Sequence, residues 1–214
     1  MISAAVEHQR SPWRFLSDDW MRFRTSVSAR AIEGPEAAAC ELFALAGPQD
    51  VDAQVSRLWK ATDLAAAQRI RRLLESLTDS RFQVHKRIEG QSYQHVTYDV
   101  GSDATLPAHV DFAIKKEQRR LSAGDRWLLG ALEPDQLARA LWSAAVLASP
   151  PMNSPGASCV VWRVPSRTDA LALEAAGRRL GLRLGKLERR FNLWRVSVDQ
   201  APPLTLCALE RLLP

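Results

Sequence analysis

Hydrophobic positions recur at helical spacing through the first third of the chain. Trp13, Leu16, Trp20, Phe23 and Val27 follow one another at intervals of three and four. That period predicts an amphipathic helix with a wide aromatic stripe. Ser11-Pro12 suits its start, because serine caps and proline fits the first turn. Gly34-Pro35 ends it and opens a second helix, Pro35 to Ala46, with Cys40, Leu42, Phe43 and Ala46 as apolar positions. Gly47-Pro48 closes that helix. A third helix is predicted over Gln49 to Lys60, on Val51, Val55, Leu58 and Trp59. A fourth, Asp63 to about Leu77, turns Leu64, Ile70, Leu73, Leu74 and Leu77 inward, with Thr62 able to cap it.

The period then changes to two. Phe82, Val84 and Lys86 alternate with Gln83, His85 and Arg87, and Gly90-Gln91-Ser92 makes a turn. Tyr93 to Val100 is rich in β-branched and aromatic residues, so the segment is a β-hairpin, with His85 and His95 candidates to face each other across it. Pro107 to Leu147 reads as helical again, and Pro134 starts a helix that is apolar almost all round. Ser149 to Ala157 is the best internal boundary, rich in proline. Past it, Cys159 to Val164 is a strand, and Thr168 or Ser166 caps a helix ending near Gly181. Lys186 to Phe191 and Leu193 to Val198 form a second hairpin, and Leu204 to Leu213 a final helical turn or two. Leu64 to Val100 and Ala170 to Val198 echo one another as helix then hairpin, each helix bearing an Arg-Arg pair. So common a unit does not establish a duplication.

The expected class is therefore α+β. It comprises a helical N-terminal region over residues 1–103, a helical connector over 104–157 and a basic β-α-β-β segment over 158–214. Within the first, Pro35 to Val100 resembles a winged helix in order and lengths, helices with tight turns and then a hairpin. In a helix-turn-helix the second helix of the pair enters the DNA major groove. Here that is Asp63 to Leu77, which carries Gln68, Arg69, Arg71 and Arg72, side chains suited to reading base edges. Lys86 and Arg87 on the hairpin suit phosphates. The plainer alternative is a helical bundle with an appended hairpin, in which Arg71 and Arg72 are solvated or paired with Glu75.

Charge supports a polyanionic partner. The formal net charge is +5, with 29 Lys and Arg against 24 Asp and Glu. Between Ser158 and Asp199 nine basic residues face four acids, so this window holds the whole excess. A local basic excess is the footprint of a nucleic acid or an acidic protein. Arg178, Arg179, Arg189 and Arg190 are its candidate backbone contacts, and Trp162-Arg163 and Trp194-Arg195 its candidates for stacking on bases. Core packing is the expected role of most of the seven tryptophans.

Catalytic patterns are missing from the sequence. The four histidines are isolated and the three cysteines far apart, so no metal and no disulfide is expected. Glycine-rich phosphate loops and a nucleophile elbow are also lacking, and no cofactor is expected. No run approaches a membrane span, and Glu7 and His8 interrupt any signal-peptide core, so the expected address is the cytoplasm. Two function classes follow. One is non-enzymatic binding of nucleic acid, with duplex DNA as partner. The other is a protein adaptor or structural subunit of a larger bacterial-type assembly, presenting Trp20 and Phe23 of the first helix to a partner.

Overall fold

The computed structural model describes residues 12–46, 59–61, 63–78, 80–89, 95–101, 134–148, 158–164 and 166–213. Helix α1 spans Pro12–Ala29 and α2 Pro35–Ala46; both start at the expected prolines, and α1 stops at Ala29, before Gly34. Strand β1, Trp59–Ala61, precedes α3, Leu64–Leu77, and the hairpin of β2, Gln83–Glu89, and β3, His95–Gly101. Helix α4 is Pro134–Ala148 and β4 Val160–Val164. Then come α5, Arg167–Arg179, β5, Glu188–Arg190, β6, Leu193–Val198, and α6, Pro202–Leu212. The class is α+β, with two three-stranded antiparallel sheets of order β1-β3-β2 and β4-β6-β5.

Three local expectations are corrected. Trp59 and Lys60 lie in a strand, not at the end of a helix, because Trp59 and Ala61 take alternate inward positions opposite Val100 and Tyr98 of β3. Cross-strand pairing overrides the local helical pattern there; residues 49–58 lie outside the described residues. A single helix thus separates β1 from the hairpin, and no helix-turn-helix pair stands directly before it among the described residues. The cap of α3 is Asp63, whose Oδ1 accepts from the Ala66 amide at 3.0 Å. His85 stands opposite Asp99 and His95 opposite Glu89, so the two histidines do not face each other. The Gly90-Gln91-Ser92 turn, the Gly47-Pro48 stop, the Pro-rich boundary and the helical reading before Pro134 lie outside the described residues.

The two halves repeat one design: α2-β1-α3-β2-β3 matches α4-β4-α5-β5-β6, strand order included. Trp59-Lys60-Ala61 and the cap Asp63 take the places of Trp162-Arg163-Val164 and the cap Ser166. In this match Arg71 falls on Glu174, so the two Arg-Arg pairs are not equivalent. The echo seen in sequence is real in the order of elements and accidental in its arginines.

One buried cluster joins both halves. Helices α2 and α4 pack on each other at its centre, α3 covers one face of the first sheet and α5 one face of the second. Trp142 of α4 meets Trp162 of β4 edge to face at 5.0 Å and donates from Nε1 to the Leu173 carbonyl at 3.2 Å. Gly177 permits this approach: a Cβ there would sit 2.9 Å from both Trp142 Cζ2 and Leu184 Cδ1. Helix α5 then ends at Gly181, φ +78°, whose amide bonds Arg178 while that of Leu182 bonds Gly177.

Candidate nucleic-acid interface

Neither α1 nor α4 has a basic residue in its own last turn. A helix leaves its last carbonyls without partners and carries partial negative charge there. Arginines from other elements meet this need. Arg72 of α3 donates from Nη1 to the Ser28 carbonyl at 2.9 Å. Arg69 donates from Nη1 to the Arg30 carbonyl at 2.6 Å, and its Nε and Nη2 grip Glu41 of α2 at 2.8 and 2.7 Å. Arg24 of α1 is buried, donates from Nε to the Val146 carbonyl at 3.0 Å, and bonds Leu147 O and the Asp63 carboxylate through Nη2.

This places the arginines read from α3. Arg69 is fully buried in a bidentate ion pair, and Arg72 is half-buried with one nitrogen bonded inside. Arg71 is half-buried with its Nε enclosed and without a hydrogen-bond partner among the described residues, and Gln68 is half-buried. Beside them Arg30 is also enclosed. Burial holds its guanidinium below the ordinary arginine value, Glu41 and Glu33 oppose the shift, and Arg69 and Arg139 add to it. From Trp20 onward the stripe of α1 goes into the core. Phe23 is buried, and Trp20 is half-buried between Phe23 at 5.5 Å and Trp162 at 6.2 Å.

The sheets offer a different setting. Side chains alternate across a pleated strand, and those facing the helices join the core: Val84, Tyr98 and Val100 in the first sheet, Val160, Trp162, Val196 and Val198 in the second. The opposite face of the first sheet carries Gln83, His85, Arg87, Thr97 and Asp99. There Arg87 lies 3.6 Å from the buried carboxylate of Asp99, on the central strand. Lys86 is exposed one position along.

The opposite face of the second sheet carries Arg163, Arg190, Arg195, Glu188, Leu193 and Ser197, with Val161 buried opposite Ser197. Arg163 stands directly opposite Arg195 on the central strand. Like charges so placed are destabilising. Glu188 flanks Arg195 on the other side at 3.6 Å and also lies 3.7 Å from Arg190. Two guanidinium groups thus share one carboxylate, and Arg195 Nε is enclosed without a hydrogen-bond partner among the described residues. The remaining candidates lie elsewhere. Arg178 pairs with Glu174 at 2.8 Å, Arg179 with Asp135 at 2.5 Å, and Arg189 is exposed opposite Trp194. Of the stacking candidates, Trp162 is buried and Trp194 is half-buried under the Arg167 guanidinium, 5.8 Å from its ring.

The sequence reading missed Phe191. It places this residue at the end of a strand, whereas Phe191 and Asn192 form the two-residue tip of the β5–β6 hairpin, with φ +49° and +63°. The ring is 94% exposed. The signal was available in a Phe-Asn pair set between two strand patterns.

No protein-family model and no curated protein matches the chain. Solved structures do. The fold is similar to that of a LAGLIDADG domain. The full-length DUF199/WhiA structure from Thermatoga maritima matches with a TM-score of 0.59 at 12% identity, over 88% of this chain and 60% of that one. This chain therefore spans less than two thirds of that protein. The N-terminal LAGLIDADG domain of DUF199/WhiA matches with a TM-score of 0.57 at 12% identity, over 90% and 91% of the two chains. Mesophilic variants of the homing endonuclease I-DmoI match with a TM-score of 0.50 at 10% identity, over 83% and 97%. The likeness is one of fold. Among the described residues no helix is long and apolar enough to cross a membrane, and no three His, Cys, Asp or Glu side chains come together to hold a metal.

Proposed function

We propose that this chain binds nucleic acid, with duplex DNA as its partner, through the faces of its two sheets that no described helix covers, and that it does so without cutting. The observation that carries the reading is Arg163 opposite Arg195 on the open face of the second sheet. Such a pair works against folding, and a phosphate backbone laid across it neutralises both charges. Arg190 extends the contact along β5, and Arg87 supplies the first sheet; Lys86 and Arg189 fall on the core-facing sides by alternation and stand outside it. Arg69 and Arg72 leave the interface, because their guanidinium groups are bonded within the molecule. The fold shared with a homing endonuclease, an enzyme that acts on nucleic acid by its name, supports the same partner.

The non-catalytic half of the reading rests on the sequence, which carries no catalytic pattern. The test is anisotropy of a labelled mixed-sequence duplex across a salt series. Affinity is expected to fall linearly on a log–log plot, because each neutralised phosphate releases counterions. Absence of binding at low salt, or binding indifferent to salt, overturns the reading. Supercoiled plasmid incubated with the protein and Mg²⁺ or Mn²⁺ is expected to stay intact; nicking overturns the non-catalytic half of it.

A further inference from the structure

We infer that Phe191 is a wedge that enters the base stack of the bound duplex. The inference rests on the nucleic-acid reading above and names how that face engages its partner. Arg190 and Leu193 pair in register, so only Phe191 and Asn192 remain to turn the chain. A two-residue hairpin loop with both φ values positive is a type I′ turn, whose preferred residues are Asn-Gly, Asp-Gly and Gly-Gly. A bulky aromatic at its first position holds a backbone conformation disfavoured for its kind. Its ring is also left almost wholly in water, the most exposed of the large apolar side chains described. Neither feature serves the fold, since the ring lies outside the core cluster.

The surroundings point to the partner. Arg189 and Arg190 directly precede the ring, and Arg163 and Arg195 lie on the adjoining sheet face. A partner for this tip therefore presents anionic groups close to apolar, insertable surface. Stacked bases between phosphate backbones fit both demands, and phenylalanine is among the wedges that proteins insert at base steps. The short hairpin gives the ring a fixed position relative to the arginines, so backbone contact and insertion occur together.

The experiment uses the full chain and a mixed-sequence duplex carrying 2-aminopurine at successive positions. With the natural protein, 2-aminopurine fluorescence is expected to rise where the stack opens. Phe191→Asn places in the turn a residue that accepts positive φ. It is expected to weaken duplex binding about tenfold, the scale of one lost ring–base contact, and to abolish the fluorescence rise. Its salt slope is expected to match the natural chain, since no charge changes. Its Tm is expected to be unchanged or higher by about 1–3 °C, which separates the loss from unfolding. Natural affinity in Phe191→Asn, or a flat 2-aminopurine signal with the natural chain, overturns the wedge while leaving the nucleic-acid reading intact. Failure of the natural chain to bind overturns both. A Phe191→Trp chain whose emission shifts blue with phosphatidylglycerol vesicles but not with duplex overturns the wedge in favour of a membrane surface.

Discussion

Helix α3 and the second sheet are both rich in arginine, and they use it in opposite ways. On α3, Arg69 is walled in by Glu41 and the Arg30 carbonyl, and Arg72 reaches back to close α1. On the second sheet, Arg163, Arg190 and Arg195 face away from the helix behind them and outnumber their one acid. The first set works for the fold at the expense of availability. The second set is available at the expense of the fold. Arginine content alone does not separate the two; what separates them is whether a carbonyl end or a carboxylate is waiting.

The contrast makes measurable predictions. Arg69→Ala leaves Glu41 buried without its partner and should destabilise the protein by about 3–5 kcal/mol in denaturant unfolding. A variant as stable as the natural chain would return Arg69 to the surface. Arg30→Met removes an enclosed charge with unpaired Nε and Nη1 while keeping the carbonyl that Arg69 uses. Burial holds the guanidinium below the ordinary arginine value, so its enclosed charge works against folding. The variant should therefore match the natural chain or exceed it by up to about 2 kcal/mol. On the sheet the signs separate. Arg163→Glu converts a like pair into an opposite one, so thermal stability should hold or rise by about 0.5 kcal/mol. Duplex affinity should fall about tenfold, and the salt slope should drop by about one. Loss of both stability and affinity would break the contrast. Smallest is Glu188→Gln, which frees Arg190 and Arg195; it should tighten duplex binding about threefold and cost about 0.5 kcal/mol of stability.

Much of the architecture was readable before any coordinates. Proline and glycine marked α1 and α2, and alternation marked both hairpins, because these signals are local. Strand β1 was misread as helix because its identity comes from β3, tens of residues further on. The candidate site was legible in part. Arg69 sits in step with Ala66, Leu73 and Leu77, all buried, at helical spacing. A cation on an apolar stripe announces a buried partner, and that clue outweighs its fitness for reading bases. The hairpin arginines fell into the right segment but without a face, since strand register decides which of them point outward. Phe191 needed the turn itself, because its meaning lies in its backbone angles.

The Arg24 side chain leaves one helix, bonds the closing carbonyls of α4 and ends on the cap of α3. It thereby ties a helix of the first repeat to one of the second. Neither repeat can open at that point without exposing a charge buried by the other. Amide protons in the last turn of α4 and the first turn of α3 are thus expected to exchange with solvent at one common opening free energy. Separately produced halves should regain that protection only when mixed.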